Sequence, residues 1–253
     1  MYGGNAVTMI PRWAKRIFKR RCISVGSGKG GPGKTTIAAN LAAYLAEHGL
    51  KIGLVDADIH TPNVDCFFGI EGERMDVNED MLIVPKEPAK GLYVMSVGNI
   101  IPSGVPILWS EEKVRDFLIK AFTSVDWPKK LDLYIVDLPP ASVIELRTLN
   151  ANFRKRHSTV LVTTGHKASV ADCKRMAGLC LTEGVKISAI VDNMHGRFGS
   201  QGEKNVESLL KEAGNPPLIR VPDDPGMCVD GCYLYKKYEH KFLKLAEAVG
   251  VVF

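Results

Sequence analysis

The chain has 253 residues, of which 45% are apolar and 24% charged, with a formal net charge of +5. This is the composition of an ordinary globular protein, sized for one α/β domain or two small ones. No apolar run is long enough to span a bilayer, and the charge is too mild to imply nucleic acid by itself. The start is polar and then basic, without the apolar stretch of a secretory signal. The six cysteines, at 22, 66, 173, 180, 228 and 232, are scattered, which reads as reduced thiols in a cytoplasmic protein and not as a disulfide framework.

Residues 1–20 form a basic extension, with 21–253 expected to be one domain. In the lead-in, Arg12, Lys15, Arg16, Lys19, Arg20 and Arg21 surround Trp13, Ile17 and Phe18. Wound as a helix, Trp13 and Ile17 share a face. One reading is contact with a membrane surface or nucleic acid. The reading preferred is a helix whose apolar side packs on the domain while its charges are solvated.

Cys22 to Val25 is an apolar run that predicts a buried strand. It feeds Gly28 to Thr35, which fits G-x-x-x-x-G-K-[ST] without a mismatch. Gly28, Gly30, Gly31 and Gly33 let the backbone curl until successive N–H groups face phosphate oxygens. Lys34 is placed to neutralise the β- and γ-phosphates of ATP or ADP. The Thr35 hydroxyl, followed by Thr36, is placed to meet Mg²⁺. Ile37, Ala38, Leu41, Ala42 and Leu45 recur at helical spacing, so a helix N-terminus adds its dipole to the anion site. Lys29 is a second loop lysine. It is either a solvated charge or a mobile cation for the transition state, as an arginine finger would be. The run K-G-G-P-G-K-T-T resembles the deviant Walker A motif of the MinD/ParA superfamily. That resemblance implies a homodimer in which Lys29 reaches across to the nucleotide of the other protomer.

His48-Gly49 stops the helix, and Lys51 to Val55 predicts a second buried strand ending in Asp56-Ala57-Asp58. Carboxylates at the C-terminal end of a central parallel strand lie beside the phosphate loop. Asp56 suits the Mg²⁺ shell, and Asp58 the orientation of the attacking water. The segment D-A-D-I-H-T-P-N-V-D-C-F-F-G, Asp56 to Gly69, resembles the switch segment of the Mrp (ApbC-like) branch. Thr61 replaces that branch's usual glycine, and Asn63-Val64-Asp65 leans toward the MinD form. The likeness continues through Leu92 to Gly98 and Val125-Asp126-Trp127. It implies a strand over 92–97 and a loop near the dimer face over 102–109.

Leu133 to Asp137 predicts a strand ending in Asp137-Leu138-Pro139-Pro140, a Walker B pattern in which Asp137 binds Mg²⁺ through water. The branch continues G-T-G-D. This chain has Ala141-Ser142-Val143-Ile144, without the glycine hinge and the carboxylate, so slow hydrolysis is expected. Thr159 to Thr164 reads as a strand and Ala168 to Leu181 as a helix, with Cys173 and Cys180 on one face as core thiols. Ile187 to Val191 is the next strand, followed by Asp192-Asn193-Met194. By resemblance, the Asn193 amide reads the adenine edge, and Pro222-Asp223, after the strand Leu218 to Pro222, lines the base. A closing helix over 233–249 turns Leu234, Tyr238, Phe242, Leu245 and Val249 inward.

Strand and helix alternate throughout, which predicts an α/β fold. The expected domain is a P-loop NTPase with a mostly parallel twisted sheet of about seven to eight strands, helices on both faces. The resemblance implies an ATPase that carries an iron–sulfur cluster to apo acceptor proteins. That branch usually holds the cluster on Cys-x-x-Cys after the E-N-M segment, but residues 195–202 here contain no cysteine. Cluster ligation, if it occurs, falls on Cys228 and Cys232, whose soft thiolates sit on a Gly-containing turn. Two thiols from one chain cannot fill four positions, so a second protomer or a partner supplies the rest. The alternative is a MinD/ParA-like positioning ATPase acting on a membrane, DNA or protein partner without a cluster.

Overall fold

The computed structural model describes residues 14–100, 109–224 and 234–252. Its centre is an eight-stranded sheet in the order β3-β4-β2-β5-β1-β6-β7-β8. The strands are β1 (Arg21–Gly26), β2 (Ile52–Asp56), β3 (Lys86–Ala89), β4 (Leu92–Met95), β5 (Leu133–Asp137), β6 (His157–Thr163), β7 (Lys186–His195) and β8 (Leu218–Pro222). All pair in parallel except β3, which runs antiparallel to β4 at one edge. Strands β2 and β5 are buried at every position, as expected for strands covered on both faces.

Two core layers result. On one face lie α1 (Lys34–Glu47), α2 (Val64–Phe67), α7 (Leu234–Lys237) and α8 (Glu239–Ala248), packed through Leu41, Leu45, Val64, Phe242 and Leu245. On the other lie α3 (Glu111–Thr123), α4 (Val143–Phe153), α5 (Lys167–Thr182) and α6 (Gly199–Glu212), packed through Phe122, Leu146, Phe153, Cys173 and Val206. Helix α1 is Ala-rich because it is sandwiched between the sheet and α7–α8, and small side chains let those elements approach. Burying Phe242 and Leu245 contributes roughly 2 kcal/mol apiece.

Several expectations need correction. The lead-in forms a short 3₁₀ turn, Ala14–Lys19, and its anchor is Phe18, edge-on to Phe122 and Phe153; Trp13 lies outside the described residues. The strand expected to reach residue 97 stops at Met95, because Ser96 caps a 3₁₀ turn over Val97–Asn99. The closing helix is broken at Tyr238, and Tyr235 takes a buried place beside Phe242. Strand β7 continues through Asn193 to His195, so that asparagine sits on a strand. Antiparallel β3 was not foreseen, since Lys86-Glu87-Pro88-Ala89 alternates only weakly. Residues 102–108 and the cysteine pair Cys228 and Cys232 lie outside the described residues.

Candidate functional site

The C-terminal ends of β1, β2, β5 and β7 converge on one loop, Ser27–Gly33. Its backbone is shaped by contact as much as by flexibility. A side-chain carbon on Gly28 would lie 2.1 Å from the backbone of Asp172 in α5. Gly33, at φ +91°, opens α1, and a carbon there would meet the Asn193 amide at 2.4 Å. Nothing lies within 4 Å of the corresponding point on Gly31. No side chain caps the first N–H groups of α1, and no acid occupies its first turn. The positive end of that helix is thus left for an outside anion. Lys34 is 7% exposed at the helix start, while half-buried Lys29 makes no side-chain hydrogen bond or ion pair among the described residues. Ala141 donates its N–H to the Ser27 carbonyl at 3.2 Å, which ties the loop to the segment after β5.

Asp137 ends β5 directly opposite Asp56 on β2. The Thr35 hydroxyl donates to Asp137 Oδ2 at 2.6 Å. Asp137 Oδ1 is buried with no hydrogen-bond partner. Burial pushes the Asp137 carboxyl up to about 7, against the opposing pull of the Thr35 bond and Lys34. Burial, then the Asp137 charge, push Asp56 well up too. An orphaned carboxylate oxygen, a hydroxyl and two crowded acids form a hard-oxygen donor set that fits Mg²⁺.

Asp56 holds its loop together. Its Oδ1 accepts from Asp58 N at 3.0 Å, and its Oδ2 from Asn63 N and Val64 N at 3.2 Å and from the Ser96 hydroxyl at 3.0 Å. Asp58, 9% exposed, accepts from Thr61 N at 3.1 Å. Ser96 was not singled out from sequence. The usable signal is a serine just past a strand that neighbours β2. Glu145, buried in the first turn of α4, is a second such residue: burial raises its carboxyl, with Asp58 adding to the shift and His60 opposing it. It supplies a carboxylate one position after the gap left by Val143-Ile144.

Toward the ends of β7 and β8, Asn193 donates to the Pro32 carbonyl at 2.8 Å and keeps a buried, unpartnered Oδ1. Pro222 pairs with His195 across β7–β8, and Asp223 donates its N–H to the His195 carbonyl at 3.1 Å. The Asp223 carboxylate is held by both donors of Arg197, at 2.7 and 2.9 Å. The structure therefore brings Gly28, Lys29, Gly30, Gly31, Gly33, Lys34, Thr35, Thr36, Asp56, Asp58, Asp137, Asn193, Pro222 and Asp223 to one end of the sheet.

A family model described as ParA, NUBPL iron-transfer P-loop NTPase, matches residues 19–222. The iron–sulfur cluster carrier protein of Aquifex aeolicus (strain VF5) is 37% identical over 215 residues, covering 81% of this chain and 58% of its own length. That of Methanococcus maripaludis is 34% identical over 194 residues, covering 76% of this chain and 66% of its own length. The chain thus spans less than two thirds of each of these relatives. The solved structure of the septum site-determining protein MinD complexed with Mg-ADP from Pyrococcus horikoshii OT3 superposes with a TM-score of 0.67 at 24% identity, covering 91% of this chain and 96% of that one. That likeness shows a shared fold.

Proposed function

The chain belongs to the family of NUBPL iron-transfer P-loop NTPases, and on that premise we propose that it is a nucleotide-switched ATPase. It binds and slowly hydrolyses ATP as a homodimer and carries an iron–sulfur cluster to apo acceptor proteins. The observation that carries this reading is the uncapped start of α1 under the Gly28–Gly33 loop, beside the unpartnered oxygen of Asp137. Backbone N–H groups and Lys34 hold the triphosphate, and Lys29 acts across the dimer. Thr35, and Asp137 and Asp56 through water, hold Mg²⁺, which supplies charge neutralisation of the phosphates. Asp58 orients the attacking water. The Asn193 oxygen accepts from the adenine amino group, which guanine's carbonyl cannot satisfy. Replacement of the glycine and carboxylate of the branch by Ala141 and Ile144 supports slow turnover. Free thiols at Cys22, Cys66, Cys173 and Cys180 suit a reducing, cytoplasmic setting.

The test is calorimetric titration with MgATP, followed by anaerobic cluster reconstitution with iron and sulfide analysis and transfer to an apo acceptor. The expected result is ATP binding and a cluster of about one per dimer, dependent on Cys228 and Cys232. A colourless protein that still binds ATP would instead favour the positioning-ATPase reading. The absence of cysteine from residues 195–202 is the observation behind that second reading.

A further inference from the structure

The end of the sheet away from the nucleotide loop is ringed with cations. Register places the strand starts at nearly one level: Arg21 and Ile52 both pair with Leu133, Ile52 also with Leu92, Cys22 with His157, and Ser158 with Lys186. Just before or at those starts stand Lys90, Lys51, Lys130, Lys19, Arg156 and Lys186, one for each of six adjacent strands. At the usual strand spacing the row spans about 24 Å.

Cations at this end have an ordinary role, because α1, α3, α4 and α5 terminate here and their C-terminal dipoles favour positive charge. Arg20 and Arg21 have a different one, holding backbone carbonyls. Arg20 donates to the carbonyls of Leu131 and Lys129, and Arg21 to those of Gly250 and Val249 after α8. The six named above make no side-chain hydrogen bond or ion pair among the described residues, so their charged ends face solvent. Five acids share this end: Asp132, held by the Lys51 N–H, Glu183 by Arg147, Glu87 by the Gly91 N–H, and Glu47 and Glu247 in the last turns of α1 and α8.

We propose that this basic end docks on an anionic lipid surface. The row offers six positive charges to an array of anionic headgroups. Aliphatic side chains stand exposed at the same end: Leu181 (54%) in the last turn of α5 and Val252 (86%), two residues beyond the carbonyl that Arg21 holds. Aromatic side chains that would stack on nucleic-acid bases are absent from this end among the described residues that are exposed. Docking this way leaves the nucleotide loop at the opposite end free, so the proposal stands whether or not the ATPase reading does.

The experiment is co-sedimentation of the full chain with phosphatidylcholine vesicles, with and without phosphatidylserine, at low and high salt. Binding should require phosphatidylserine and fall away as salt screens it. Each basic side chain near such a surface changes partitioning about fivefold, so Lys130→Gln/Arg156→Gln/Lys186→Gln should weaken it about a hundredfold. A control with the same charge change near the starts of α3, α5 and α6, Lys113→Gln/Lys167→Gln/Lys204→Gln, should retain most binding. Equal loss in both variants, or no phosphatidylserine-dependent binding, would overturn the proposal. So would retention of duplex DNA, lost in the first variant, without retention of vesicles.

Discussion

Asn193 on β7 donates its side-chain amide to the carbonyl of Pro32 at 2.8 Å, 161 positions earlier in the chain. The bond fixes the phosphate loop to β7 and leaves the amide oxygen buried without a partner. Asn193→Ala orphans the buried Pro32 carbonyl, which costs about 1–3 kcal/mol. Calorimetric titration should show ATP affinity down about tenfold and the preference for ATP over GTP lost. Unchanged discrimination would remove Asn193 from base recognition.

The two loop lysines should separate cleanly. Lys34→Ala removes a charge at the helix start and should weaken nucleotide binding by on the order of 3 kcal/mol, about a hundredfold. Lys29→Ala should leave binding within a few-fold while stopping turnover. Normal ATP turnover by Lys29→Ala would end its assignment to the neighbouring protomer's nucleotide.

Ser96 gives Asp56 its sole side-chain donor among the described residues, at 3.0 Å, and takes the Gly98 N–H at 3.2 Å. Losing a hydrogen bond to a buried carboxylate costs about 1.5–3 kcal/mol. Ser96→Ala should lower kcat about tenfold with KM for ATP little changed, and Ser96→Thr should restore it. A stability loss with kcat intact would show a purely structural role.

His157 is buried in β6, with Nε2 2.9 Å from the Ser24 hydroxyl and Nδ1 unpartnered. Burial lowers it from 6.5 to about 4. A histidine held neutral in the fold protonates first in the unfolded chain. Stability is therefore intact above pH ~6.5 and falls by ~3 kcal/mol on the way down to pH ~4. His157→Gln should flatten that acid limb in denaturant titrations run across the range. An identical limb in the variant would place the acid sensitivity elsewhere.

Gly28 has no room for a side chain, since the Asp172 backbone would sit 2.1 Å from it. Gly28→Ala should lower stability by ~3 kcal/mol and misplace the loop. The measurements are thermal unfolding and ATP binding. A variant of native stability that binds ATP normally would contradict this packing.

The phosphate loop, strands Leu133–Asp137 and Leu218–Pro222, and the carboxylates at strand ends were legible in the sequence, because each rests on local chemistry. Glycines set a curl, apolar runs set a buried strand, and an acid that closes such a run marks the strand end where the loops gather. What lay between distant segments was not legible. The Asn193–Pro32 bond, the Arg197–Asp223 pair and the hold of Ser96 on Asp56 each join residues at least 26 positions apart. The break at Tyr238 was equally hidden, since a helical pattern does not say which neighbour it must fit. The row of cations was present in the sequence as unremarkable lysines and arginines scattered over about 170 positions. Only the parallel register of six strands brings them to one level, because sheet pairing fixes height along the strand axis regardless of separation along the chain.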